Sequence, residues 1–129
     1  MRDYQPHKNN PYWLEPTIYR RVLAVVRDYD RMVRDYNEII HETAAGDGQP
    51  GSNTPGDPVA RKAERMDRLW EDIRAVEIAL IQIPPEYRDG VLRNIRYGGW
   101  PKDVPAHLNT WSKWRRRLLF LVAEKLYLV

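Results

Sequence analysis

Two long amphipathic segments, separated by a short run rich in glycine and proline, constrain the fold of this chain more than any other feature. The first opens after Pro16, and its apolar residues recur at the spacing of one helix face. Within it, Val26 to Tyr29 is nearly repeated seven residues later as Val33 to Tyr36. We expect a single helix of roughly seven turns, with apolar positions Val22, Val25, Val26, Tyr29, Met32, Val33, Tyr36, Ile39 and Ile40.

The second segment begins at Asp57 and Pro58, because aspartate favours the N-cap and proline fits the first helical position, where no amide donor is needed. We expect the preceding residues 45–57 to form a flexible loop. Trp70 lies beside the apolar seam of this helix, and we expect it in the core. The seam residues fall seven apart at Val59, Met66, Ile73 and Leu80. Two such helices predict a long antiparallel helical hairpin, or a surface for dimerisation.

The last third of the chain predicts two shorter helices. Pro84 and Pro85 end the second long helix and start a third, which should run to about Tyr97 because Gly98-Gly99 favours a helix end. Two further prolines between Trp100 and Leu108 leave room for a turn or a single-turn helix only. Asn109 or Thr110 should cap a final helix to about Leu126, with Trp111, Trp114, Leu118, Leu121 and Val122 on its apolar face.

These elements predict an all-α protein with two regions. The 129 residues are enough for one modest core. We expect residues 1–83 to form the hairpin, as an oligomerisation region, and residues 84–129 to form a small helix-turn-helix domain. No stretch approaches the roughly 18 uncharged apolar residues of a membrane helix, and the polar N-terminus does not resemble a signal sequence. We therefore expect a cytoplasmic protein without membrane contact.

Composition argues against catalysis. The chain has no cysteine, which excludes disulfides, thiolate metal sites and a thiol nucleophile. Its three histidines, His7, His41 and His107, lack the spacing of metal ligands, and no glycine-rich phosphate loop occurs. We expect a binding protein with no cofactor, no metal and no enzymatic activity.

The distribution of charge points to an acidic partner. Through Ile83 there are 12 lysines and arginines against 14 carboxylates, whereas from Pro84 onward there are 9 against 4. A local basic excess is typical of proteins that bind nucleic acid, although a merely solvated basic face has the same composition. Duplex DNA fits the final helix best, because a reading helix needs polar side chains near its start and cations for phosphates.

We assign the candidate DNA contacts on this basis. Asn109, Thr110 and Lys113 should face the bases, and Arg116 or Arg117 should reach bases or backbone. The expected phosphate contacts are Arg96, Lys102 and Arg115. Trp111 and Trp114 could instead stack on single-stranded bases, but their spacing favours a role as anchors against the third helix, through Val91, Leu92 and Ile95.

Several short motifs resemble the RinA-type phage transcriptional activators of Gram-positive bacteria. They are Asp57 to Ala63, Ile83 to Arg88, Thr110 to Arg115 and Leu121 to Ala123, and the resemblance covers roughly residues 20–129. It implies a C-terminal helix-turn-helix like region 4 of sigma factors. One departure is the segment from Trp100 to Leu108, where prolines interrupt what is a clear first helix in sigma-like domains.

The resemblance implies an activator of late or packaging genes in a phage or prophage. Such a protein would bind double-stranded DNA as a homo-oligomer, with a dimer as the first expectation, and would contact host RNA polymerase. Two other classes fit the same small, helical and basic chain. One is a terminase-like component of DNA packaging, and the other is an adaptor of anti-sigma type that binds protein instead of DNA.

Overall fold

The computed structural model describes residues 5–46 and 57–129, and within these ranges the chain forms five helices and no strand. The all-α prediction is confirmed for these residues. The helices are α1 (Pro16–Arg27), α2 (Tyr29–Gly46), α3 (Asp57–Ile81), α4 (Pro85–Tyr97) and α5 (Leu108–Lys125). Of the predicted loop at residues 45–57, Ala45 and Gly46 belong to α2, Asp57 begins α3, and residues 47–56 lie outside the described residues.

The first amphipathic segment is not one helix, which corrects the prediction of a continuous run of seven turns. The helix breaks at Asp28, whose φ of −92° and ψ of 2° leave the helical region. At this break Arg31 Nε donates to Asp28 Oδ1 at 2.6 Å, and this hydrogen bond lowers the pKa of Asp28. The break lets α1 pack against α4 and α5 while α2 packs against α3.

Helices α2 and α3 contact each other in reverse order along the chain. Tyr29 Oη donates to Glu77 Oε2 at 2.8 Å, and farther along, the rings of Tyr36 and Trp70 stack with centroids 5.7 Å apart. Toward the other end, Lys62 Nζ lies 3.8 Å from a carboxylate oxygen of Glu42. The two helices therefore run antiparallel. Trp70 remains exposed on this pair, which corrects the expectation that it belongs to the core.

One hydrophobic cluster draws on both sides of the predicted boundary between residues 83 and 84. The centre of this cluster consists mostly of valine, leucine and isoleucine side chains from α1, α3, α4 and α5. Four of them have no exposed surface: Val22, Val76, Ile95 and Leu118. The proposed split into an oligomerisation region and a DNA-binding region stays a prediction about their roles. Within this cluster α1 packs against both α4 and α5, and α3 packs against α5.

The ends of α4 and the start of α5 follow the sequence signals closely, except at the N-cap of α5. Helix α4 begins at Pro85 and ends at Tyr97, and Gly98 at its C-cap has a φ of 81°, as predicted. Helix α5 is capped by His107, whose Nδ1 accepts from the backbone N–H of Asn109 at 3.0 Å, and not by Asn109 or Thr110. The ten residues 98–107 between these helices contain no helical turn.

A glycine in α4 sets the distance between α4 and α5. A methyl group at Gly90 would lie 2.6 Å from the six-membered ring of Trp111 and 2.8 Å from Pro101 Cγ. Trp111 also stacks on Trp100 with centroids 5.2 Å apart and meets the edge of Tyr87 at 5.1 Å. The indole is thus enclosed by α4 and the following loop, and only 2% of its surface is exposed.

This packing predicts that Gly90→Ala destabilises the chain. Alanine in a helix interior usually gains about 0.5–1 kcal/mol over glycine. Here the added methyl group must displace a buried indole, and overpacking of this kind costs about 1–3 kcal/mol. Urea unfolding followed by circular dichroism should show a net loss for Gly90→Ala, whereas Asp89→Ala on the exposed side of α4 should stay within about 0.5 kcal/mol. A stabilised Gly90→Ala would contradict the described position of Trp111.

The contact between Tyr29 and Glu77 predicts a pH dependence. Burial, followed by the hydrogen bond to the Glu77 carboxylate, raises the pKa of Tyr29 from 10.0 to about 12. The folded chain therefore holds the phenol proton of Tyr29 more tightly than the unfolded chain does. The stabilisation that the protonated phenol provides is present below pH 10 and is lost as the pH rises toward 12. The free energy of unfolding should fall more steeply across this window for the wild type than for Tyr29→Phe. Equal slopes would show that the contact does not form.

Candidate nucleic-acid interface

Helix α5 presents a buried face to the core and a basic face to solvent. Trp111, Leu118 and Val122 are buried as predicted, and Leu119 and Ala123, which the sequence analysis did not assign, extend the same face. Trp114 and Leu121 lie at its margin and are partly buried. On the opposite face Asn109 and Lys113 are exposed, and Arg116 and Arg117 are half-exposed. The helix is thus anchored along one side and open along the other.

Arg115 points into the protein, where its guanidinium bonds two side chains, and its phosphate contact stays a prediction. Its Nε donates to Asn94 Oδ1 at 3.0 Å, and its Nη1 donates to Tyr19 Oη at 2.8 Å. Asn94 is only 6% exposed, and its own amide donates to the carbonyl of Gly99 at 2.6 Å. These bonds connect α1, α4, the loop after α4 and α5. Arg115 therefore fixes the rotation of α5 and is a structural residue in this chain.

Arg96 is also engaged within the protein. Its guanidinium forms an ion pair with Asp30 at the start of α2 and lies 5.0 Å from the centroid of the Tyr97 ring. The surface around this pair is a shallow groove that Arg27, Arg31 and Arg34 also line. The structure therefore places Arg96 among the arginines of the α1–α2 junction, where a phosphate would have to compete with Asp30.

The remaining candidates before α5 lie at the surface. Lys102 is exposed in the loop after α4, beside a shallow groove that Arg93 and Tyr97 also line. Asn109 is exposed in the first turn of α5, with its side chain toward solvent while its backbone N–H is held by His107. Thr110 is half-buried in the same turn. Lys102 and Asn109 thus keep the accessibility that their predicted roles require.

The three cationic side chains of the outer face, Lys113, Arg116 and Arg117, contact aromatic rings or the helix backbone. Lys113 Nζ lies 4.7 Å from the Trp114 ring centroid, and the Arg117 guanidinium lies 5.9 Å from the same ring. Arg116 Nε donates weakly to the Ser112 carbonyl at 3.3 Å. Among the described residues no carboxylate forms an ion pair with any of the three. Their charges are therefore directed at the solvent.

The tryptophans fit the role of anchors better than that of a base-stacking platform. Trp111 is enclosed by Tyr87, Trp100 and α4 and has no free face. Trp114 stacks on Tyr87 with centroids 6.1 Å apart and carries Lys113 over its ring. The ring of Trp111 meets Tyr87 and lies directly against Gly90, and the predicted partners Val91, Leu92 and Ile95 of α4 belong to the same hydrophobic cluster.

An N-terminal loop that the sequence analysis did not assign borders the outer face of α5. Residues 5–14 close on themselves, since the Gln5 side chain both donates to the Leu14 carbonyl and accepts from the Leu14 N–H. Tyr12 from this loop packs against Phe120 with centroids 5.6 Å apart and lies under the Arg117 guanidinium at 5.9 Å. The turn-forming residues Pro6, Asn9, Asn10 and Pro11 were a signal for this loop.

The described residues offer little support for other kinds of site. No helix among them combines the length and the apolar character needed to cross a bilayer. No group of three or more histidine, aspartate or glutamate side chains in the described ranges is arranged to hold a metal ion. Comparison of the chain with protein-family models, with curated proteins and with solved structures gave no match.

The inward position of Arg115 generates a stability prediction. Arg115→Ala should lower the free energy of unfolding by about 1–3 kcal/mol, because Asn94 Oδ1 loses its donor in a buried position. Arg116→Ala is the matched control, since its side chain bonds only the carbonyl one turn earlier, and it should change stability by less than about 0.5 kcal/mol. Chemical unfolding measures both. Equal effects of the two substitutions would mean that Arg115 does not hold the three helices together.

Proposed function

We propose that this chain is a sequence-specific DNA-binding regulator of phage or prophage transcription, and that it reads DNA with the outer face of α5. The observation that carries the proposal is the set of polar and basic side chains on that face. Asn109, Lys113, Arg116 and Arg117 face outward while the opposite side of the helix is fixed in the core. In this proposal the chain acts by binding, without catalysis.

Size and charge of the face support this proposal. An α-helix with its side chains is about 10–12 Å across and fits the DNA major groove, which is about 12 Å wide, and the segment from Asn109 to Arg117 presents about 12 Å of helix length at 1.5 Å per residue. No aspartate or glutamate occurs between Asp103 and Glu124, so no carboxylate of this segment repels the phosphates. Aromatic contacts hold Lys113 and Arg117, which reduces the conformational entropy lost when they bind.

The proposed domain departs from an ordinary helix-turn-helix. The segment from Trp100 to Leu108, which corresponds to the first helix of sigma-like domains, contains no helical turn before α5 begins at Leu108. The helix that precedes α5 is therefore α4, and residues 98–107 replace the usual turn of about 3–4 residues between them. In this proposal, rigidity comes instead from the enclosed Trp111 and from Arg115. Activation of late or packaging genes further requires a contact with host RNA polymerase. It also implies a homo-oligomer, because regulators of this class bind repeated half-sites.

The proposal predicts two classes of substitution. Lys113→Ala and Arg117→Ala should reduce the preference for the specific site by about 5- to 150-fold each, as the loss of a good base contact does. Lys102→Ala should weaken binding to specific and scrambled duplexes alike and lower the salt slope by about one. A duplex selected by the wild-type protein from a randomised library, and a scrambled version of it, serve as probes in shift assays at several salt concentrations.

Arg68→Ala is the matched control, because Arg68 is an exposed arginine of α3 that does not belong to the outer face of α5, and it should leave both affinities unchanged. A wild-type protein that selects no sequence would overturn the regulator proposal. Binding to all duplexes alike by a ring of many copies would indicate the packaging component. Failure to bind any duplex would indicate the protein-binding adaptor.

A further inference from the structure

Helix α3 exposes three large apolar side chains that are spaced along its length. Val59, Trp70 and Ile81 are 69%, 43% and 66% exposed, although each is a large hydrophobic residue. They lie eleven residues apart, which is close to three full helical turns, so they share one line on the helix surface. The line extends about 33 Å at 1.5 Å per residue. Between Trp70 and Ile81 the same line carries the charged residues Arg74 and Glu77, so the apolar exposure is confined to Val59, Trp70 and Ile81 and their apolar neighbours. Large apolar side chains exposed together on one side of a helix often mark a contact surface.

Neighbouring residues widen this line into a surface. Ala63 and Met66 fall between Val59 and Trp70 on the same side of α3, and Tyr36 of α2 stacks on Trp70. Ile40, one turn after Tyr36, is exposed as well. We call the line Val59–Trp70–Ile81 the α3 stripe. It faces away from the core, since the buried residues Val76 and Ala79 lie elsewhere on the helix circumference.

The α3 stripe is symmetric about Trp70. Val59 lies eleven residues before Trp70 and Ile81 eleven residues after it, and Trp70 is one residue from the middle of α3. A two-fold axis through Trp70, perpendicular to α3, therefore brings a second α3 alongside in the opposite direction. Each Val59 then meets Ile81 of the second copy, and the two Trp70 rings meet at the axis. An isologous contact requires this kind of self-complementarity.

The charges beside the stripe are complementary under the same symmetry. Asp67 lies three residues before Trp70 and Arg74 four residues after it, on the same side of the stripe. A two-fold axis of this orientation places the Asp67–Arg74 side of one stripe beside the same side of the other stripe. Arg74 of each copy then meets Asp67 of the other copy, which gives two equivalent ion pairs. Both side chains are exposed, and Arg74 already leans over the Trp70 ring at 5.8 Å.

From this symmetry we infer that the α3 stripe is the contact between two copies of this chain, paired antiparallel about Trp70. The occupant of the surface is thus a second α3, with Val59 against Ile81 and Arg74 against Asp67. The inference does not depend on DNA binding, because none of these residues belongs to the outer face of α5. It specifies the surface, the direction and the register of the contact.

The test uses a charge exchange across the axis. The wild-type chain of 15.3 kDa should have twice that mass by light scattering at micromolar concentration. Val59→Glu and Ile81→Lys should each reduce the mass to that of one chain, because two copies of the introduced charge become buried against apolar surface. The double variant should recover the double mass, because each introduced carboxylate then meets an introduced ammonium group of the other copy.

Arg68→Glu is the matched control on the far side of α3 and should remain dimeric. Both substituted positions are solvent-exposed in the single chain, so circular dichroism should show unchanged helix content in every variant. A monomeric wild type, or single variants that keep the double mass, would overturn the inference. Single variants that dissociate without recovery in the double variant would overturn the antiparallel register.

Discussion

Three helices meet at the guanidinium of Arg115, and the direction in which α5 faces depends on this junction. The group donates to Asn94 on α4 and to Tyr19 on α1, two partners on different elements. Successive residues of a helix are rotated by about 100°, so α5 can satisfy both bonds in only one rotational setting. That setting turns Lys113, Arg116 and Arg117 outward. The basic surface of the helix is therefore a consequence of one inward arginine.

The other arginines of the last third divide in the same way between structure and surface. Arg88 donates through Nε to the Ile83 carbonyl at 2.7 Å and so satisfies an acceptor at the end of α3. Arg27 of α1, which lies outside this third, does the same for the Ile95 carbonyl near the end of α4, at 2.9 Å. Arg96 is paired with Asp30. Part of the positive charge in the last third is thus bound to helix-end carbonyls or to carboxylates. The basic side chains of this third that remain open to solvent without a carboxylate partner lie mainly on α5 and at Lys102.

Local signals were sufficient to predict most helix ends but not the relations between helices. Prolines and glycines at Pro85 and Gly98 mark α4 correctly, because their backbone preferences act without distant partners. The break at Asp28 was missed, since the apolar spacing continues through it and only the different partners of α1 and α2 require it. The inward position of Arg115 was missed for a similar reason: its partner Tyr19 lies 96 residues away in sequence.

The N-terminal loop bears on the proposed approach of α5 to a duplex. Tyr12 packs against Phe120 and lies under the Arg117 guanidinium, so protein already covers this part of the outer face. In the proposed complex a groove would receive the first part of the helix, from Asn109 to Arg117, where the side chains are open. Recognition helices commonly place their N-terminal residues against the bases, and the loop beside Phe120 would favour that approach sterically. In this proposal the loop would limit the depth of insertion, and the inward Arg115 would set the rotation of the helix.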